Sequence, residues 1–247
     1  MGAITEAEIR SYVEKHIQAF HKRRLESLQK LSFGNILRRK NPYLFRAKNI
    51  VTPEPLVRNL LDAHLSSQEE GVFGDFLEGL AIFVCGKVYG GHKSAAEGID
   101  LEFETDGVKY IVDIKSGPNW GNSGQIARMR DSFKKAKKIL RTSNAKMRIE
   151  PVNGCCYGRD ERPDKGDYLK YCGQRFWHFV SGNENLYVDI VKPLGYRAKQ
   201  KNDRFMREYA MAVTRFTRSF IEDYCDEKGS ICWGAILKMN SGADSLT

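Results

Sequence analysis

The chain has 247 residues, enough for one substantial hydrophobic core and too few to require two domains. Its 41% hydrophobic and 29% charged residues exclude a disordered chain, and it has no run near the roughly 18 apolar residues that a bilayer-spanning helix needs. Forty Lys and Arg against 31 Asp and Glu leave a net charge of +9, which points to a polyanionic partner, nucleic acid first, or else to a basic surface that only aids solubility.

The opening Met1–Ile9 lacks the apolar stretch of a secretory signal, so a cytoplasmic location is expected. Six cysteines without CxxC spacing then read as free or buried thiols. Cys155, Cys156, Cys172 and His178 offer the material for a zinc site but not its usual paired spacing. Thr5-Glu6-Ala7-Glu8 is a capping-box pattern, and Ile9, Tyr12, Val13, Ile17 and Phe20 follow at helical spacing, for packing on a core or on a partner. Arg38 to Lys48 reads as a basic, irregular stretch. Thr52-Pro53 supplies an N-cap with proline at the first helical position, starting a helix to about Leu65. A separate helix is expected from Val72 to Val84, with Phe73, Phe76, Leu77, Leu80 and Ala81 on its apolar face and Glu78 embedded among them.

Strands are expected at Asp100–Glu104 and Lys109–Lys115, joined by Asp106-Gly107, a dipeptide suited to two-residue turns that need positive φ. A basic helix follows from about Ser123 to Arg141, then helices at Tyr168–Val180 and Asp203–Tyr224, the last with aromatic residues at spacings of three and four. No repeat or linker divides the chain, so residues 1–247 are expected to form a single mixed α/β domain.

The hairpin carries the chemistry. With Asp106 and Gly107 as the loop, Thr105 faces Val108, and counting outward sets Asp100 opposite Asp113. Directly opposed residues have Cβ atoms about 4.5–5.5 Å apart, so the two carboxylates can converge on one cation. Alternation puts Lys115 on the Asp113 face and sends Leu101, Val112 and Ile114 the other way, giving one charged and one apolar face. Phosphodiester hydrolysis uses such a set: carboxylates for Mg²⁺ and a lysine to orient water or phosphate. The same residues also occur on exposed hairpins, where the lysine merely offsets the acids.

Gly98-Ile99-Asp100, the hairpin and Val112-Asp113-Ile114-Lys115 together resemble the PD-(D/E)xK nuclease signature, in the form found in type II restriction endonucleases. Ser116-Gly117-Pro118-Asn119-Trp120-Gly121-Asn122 and Cys172-Gly173-Gln174-Arg175-Phe176-Trp177 are similar to strings in a group of bacterial restriction enzymes, extending the resemblance from about Val72 to Tyr224. Ile99 stands where the signature has proline, and Asp113 where glutamate is commoner. The resemblance implies a mixed β-sheet flanked by helices with helical N- and C-terminal elaborations, Asp100 and Asp113 as metal ligands, Ile114 lending its carbonyl, and Lys115 as the catalytic lysine. It also implies Mg²⁺, double-stranded DNA cut at a short specific sequence, a homodimer matching a palindromic site, and functional pairing with a DNA methyltransferase. Glu78 resembles an acid that some members add from a preceding helix, to the metal or its water shell; otherwise it is a solvent-facing helix residue.

Further residues carry two readings each. Glu102 shares the Asp100 face and reads as a supporting acid or, more simply, a surface residue. Gln125 reads as a DNA contact or a helix N-terminal polar group. Arg128, Lys134, Lys135 and Lys138, with their basic neighbours, suit phosphate contacts or form a solvated face. Trp120 either packs against DNA or closes a core, and Phe176, Trp177 and Phe179 read as core. Arg38, Arg39, Lys40, Arg46 and Lys48, with Arg197, Lys199 and Lys201, are further clusters able to approach DNA. Other readings of the chain are a repair or recombination nuclease of the same superfamily, or a noncatalytic basic DNA-binding module.

Overall fold

The computed structural model describes residues 2–143 and 146–243. In chain order they form α1 (Glu6–Gln29), α2 (Phe33–Arg39), α3 (Pro42–Ala47), α4 (Pro53–Tyr89), β1 (His92–Lys93), β2 (Leu101–Thr105), β3 (Val108–Lys115), α5 (Ser123–Ser143), β4 (Arg148–Cys155), β5 (Leu169–Cys172), α6 (Gln174–Ser181), α7 (Leu186–Asp189), α8 (Val191–Leu194), α9 (Ala198–Tyr224) and α10 (Trp233–Ser241). They pack as two compact units: residues up to Phe20 with Phe73–Tyr196, and His21–Val72 with the segment from Arg197. No helix among the described residues is long and apolar enough to cross a membrane.

The first unit holds the mixed sheet, in order β1-β2-β3-β4-β5, antiparallel from β1 to β3 and parallel from β3 to β5. The hairpin has the counted register, from Thr105 opposite Val108 to Leu101 opposite Val112, and Asp106 and Gly107 turn with φ of 53° and 71°. One face of the sheet, with Leu101, Phe103, Val112, Ile114 and Val152, packs under Ile9, Val13 and Ile17 of α1, Leu80 and Val84 of α4, and Phe176 and Trp177 of α6. The other face places Ile111 and Ile149 against Met129, Phe133 and Ala136 of α5. The expected division into a charged and an apolar face therefore gives way to two covered faces, with Asp113 sharing the α5 side with Ile111. The second unit is helical, with Leu56, Val57, Leu60 and Leu61 packed among Phe33, Phe45, Phe205, Phe216 and Phe220.

The capping box at α1 is formed: the Thr5 N–H reaches Glu8 Oε2 at 3.1 Å and the Glu8 N–H reaches Thr5 Oγ1 at 3.2 Å. Three further expectations change. The helices separated at Leu65 and Val72 are one, α4, of 37 residues; its early and late turns contribute to different cores, which offsets the roughly 1 kcal/mol that each interior glycine costs. Arg38–Lys48 is not irregular, because Asn41 accepts the Tyr43 N–H at 3.0 Å and Pro42 opens α3. The helix expected at Tyr168–Val180 is a strand, β5, followed by α6, broken at Gly173, whose φ of 54° and ψ of −123° suit glycine.

Sequence reasoning did not anticipate β4, a strand that contains Pro151 and Gly154 and pairs with both β3 and β5. Pairing with β5 begins only at Val152, so the missing Pro151 N–H falls where β4 has a neighbour on one side. Gly154 is required by close approach, since a Cβ there would enter the Phe176 ring. Gly154→Ala is expected to lower unfolding free energy by about 1–3 kcal/mol through overpacking, measured as a lower urea midpoint at unchanged m-value.

Candidate active site

Asp113 lies on the central strand and is only 4% exposed. The Lys115 ammonium, two residues on and on the same face, sits 2.5 Å from Asp113 Oδ1. Asp100 immediately precedes β2; its N–H donates to the Val112 carbonyl at 2.8 Å, and its Oδ2 accepts the Ile114 N–H at 2.7 Å. The Asp100 carboxylate is thereby fixed against the backbone of β3.

Glu78 comes from α4 and is partly buried, with the Lys93 ammonium 3.3 Å from its Oε1. Burial raises its pKa first, then the Asp100 charge. For Asp113, burial likewise acts first and outweighs Lys115; Asp100 and Glu78 add to it, and the carboxyl is pushed up to about 6. The charges of Asp100 and Glu78 are thus felt at Asp113, and Glu78 is paired with Lys93 rather than free at the surface.

Sequence reasoning missed Asn153. It lies opposite Asp113 on β4 and is 1% exposed. Its Nδ2 is 3.3 Å from both Asp113 Oδ2 and the Asp113 carbonyl, while its Oδ1 accepts the Trp120 indole N–H at 3.1 Å. The Trp120 ring in turn lies 5.1 Å from the Lys115 ammonium, within cation–π range. One amide therefore supports the acid directly and the lysine through the indole. The available signal was a polar amide inside the run Val152-Asn153-Gly154-Cys155.

The loop carrying Trp120 is tied down by the Tyr157 N–H to the Ser116 carbonyl at 3.1 Å and Lys170 Nζ to the Pro118 carbonyl at 2.9 Å. Trp120 is thus engaged within the protein, on the core-closing side of its two readings. Gln125 forms a reciprocal cap with Asn122, its Oε1 accepting the Asn122 N–H at 2.9 Å and its own N–H reaching Asn122 Oδ1 at 3.0 Å. That is the helix-terminal reading, and it occupies the side chain expected to contact DNA. Arg128, Lys134, Lys135 and Lys138 are exposed on α5, away from Met129, Phe133 and Ala136. Phe176 and Trp177 are core residues.

Glu102 is a correction: it is 9% exposed, not a surface residue, with the Ser94 hydroxyl at 2.5 Å and the Lys109 ammonium at 3.0 Å. Burial alone would raise its pKa, but these two partners overcome that and lower it. Burial raises the thiols of Cys155, Cys156 and Cys172.

The donor chemistry at Asp113 fits a hard divalent cation. The charges of Asp100 and Glu78 act on Asp113 and are only partly offset by Lys115. Among the described residues no three acids, histidines or cysteines stand in one metal-holding group. Two acids, Asp100 and Asp113, are the candidate donors, a number compatible with a Mg²⁺ that keeps several waters.

The family model described as Type II restriction endonuclease EcoO109I matches residues 7–202. A comparison with curated proteins found no match.

The raised Asp113 carboxyl favours folding while protonated, so its contribution is present below pH 4 and is lost as pH rises through about 6. In metal-free buffer Asp113→Asn should gain stability on wild type by up to about 3 kcal/mol between pH 4 and pH 7. Paired thermal melts across that range would show it, and a constant difference would contradict it. Asn153→Ala should destabilise the fold by about 1–3 kcal/mol, because the Trp120 N–H loses its acceptor, and should also change Trp120 fluorescence.

Proposed function

The chain belongs to the Type II restriction endonuclease EcoO109I family, and from that premise we propose that it is a Mg²⁺-dependent enzyme of the PD-(D/E)xK kind, cutting both strands of double-stranded DNA at a short specific sequence. The observation that carries this reading is the buried Asp113, held by Lys115 at 2.5 Å and sensing the charges of Asp100 and Glu78.

In this reading Asp100 and Asp113 hold the cation with the Ile114 carbonyl, and Glu78 supports its water shell. When bound, Mg²⁺ polarises the scissile phosphate and lowers the pKa of a water. Lys115 orients that water or a phosphate oxygen, and Asn153 keeps Asp113 from turning away. The Trp120 ring limits where the Lys115 ammonium can go. Arg128, Lys134, Lys135 and Lys138 make phosphate contacts that set position without reading bases. The chain works as one catalytic domain with helical elaborations, in the cytoplasm, as a homodimer that matches a palindromic site and brings one active site to each strand. A DNA methyltransferase protects the same sequence in the host.

Purified protein with plasmid DNA and Mg²⁺ is expected to give discrete fragments, and EDTA to stop cleavage. Asp113→Ala and Lys115→Ala should each lower the cleavage rate by a factor of about 10² or more while duplex binding persists. Wild-type cutting by either folded variant would remove the assignment, and cuts only at structured or damaged DNA would favour a repair nuclease.

A further inference from the structure

The helical second unit, which holds none of the residues proposed for catalysis, has its own concentration of positive charge. A cleft of about 680 Å³ is lined by Arg23 and Lys30 near the end of α1, Arg39 and Lys40 at the end of α2, and His64 of α4. The single acid in its wall, Glu26, already has the Lys22 ammonium 3.7 Å away. Among the described residues no ion pair neutralises Lys30, Arg39 or Lys40.

These cations stand on a braced frame. The Asn240 amide donates to the carbonyls of Leu37 at 3.2 Å, Arg38 at 2.9 Å and Lys40 at 3.3 Å, satisfying the open end of α2 and fixing the turn that carries Arg39 and Lys40. Across the cleft, the Ser27 hydroxyl is hydrogen bonded to Gln68, joining α1 to α4. The His64 imidazole is held below its ordinary pKa, first by burial and then by Lys40 and Arg39, a separate sign of positive potential. Hydroxyl and amide donors of Ser32, Asn35 and Ser67 complete the lining.

We propose that this cleft binds backbone phosphates of duplex DNA, in addition to the contact made at the catalytic carboxylates; the proposal rests on the DNA substrate of the preceding section. Fixed cations in a walled cleft with neutral donors match phosphate oxygens. A duplex presents a negative charge about every 1.7 Å of axis, so neighbouring phosphates can engage several of these cations together. Such contacts add affinity and register without sequence information.

The test is equilibrium binding of a labelled duplex of arbitrary sequence in EDTA across a salt series. Replacing Lys30, Arg39 and Lys40 by glutamine should make the slope of log affinity against log salt shallower by about 2 to 3, at roughly 0.9 per phosphate contact. An unchanged slope in the folded variant overturns the proposal. The histidine Cε1–H spectrum of the wild type, with His64 assigned through His64→Gln, gives a readout independent of the variant's folding. Duplex should move the His64 signal; a signal that moves with inorganic triphosphate but not with duplex would make this a free-anion site and overturn the proposal as well. Failure of the wild type to bind any duplex would count against the nuclease reading itself, whereas duplex binding with an unmoved His64 signal and an unchanged slope would count against the cleft alone.

Discussion

Keeping a carboxylate charged inside a sheet, beside two other acids, is the constraint on which the rest of this structure depends. Burial and the charges of Asp100 and Glu78 oppose ionisation of Asp113, and Lys115 and Asn153 favour it. The balance leaves the carboxyl near 6, so at neutral pH the group is ionised but strongly attracted to further positive charge. Pre-set tension of this kind is common where a fold is built around chemistry rather than around its own stability. The strand order follows from the same need. Asp113 lies on a central strand, where it is shielded, and the register of β4 brings Asn153 level with it.

Positive charge is distributed in two physical forms. On α5 the cations project from a helix whose opposite side packs on the sheet, so they act mainly through a long-range field that salt screens over about 10 Å at ordinary ionic strength. In the helical unit the cations of the α1–α2–α4 cleft are held by a hydrogen-bonded frame. The former suits drawing a polyanion in, and the latter suits holding it in one register.

The hairpin was legible because its information is local. Asp106-Gly107 specifies the turn, the turn specifies the register, and the register fixes which residues share a face. The capping box at Thr5 was equally local. The reciprocal pair of Asn122 and Gln125 was not anticipated, and it engages a residue that also read as a DNA contact. What escaped was decided by distant partners. The helices read at Pro53–Leu65 and Val72–Val84 are one because each half packs into its own core, which local spacing does not show. β4 was not anticipated, and Pro151 is accommodated in it because pairing with β5 starts a residue later. Glu102 reads as surface until Ser94 and Lys109 are brought to it. Asn153 carries no mark of its role except in the company of Asp113 and Trp120.

That separation has a consequence for the order of assembly. The turn at Asp106-Gly107 closes quickly, since its partners are neighbours in the chain, whereas the amide that supports Asp113 arrives from 40 residues downstream, after α5 has crossed the sheet. The acids and the lysine thus take their shared face from a local turn, whereas the amide that steadies Asp113 depends on a contact distant in sequence.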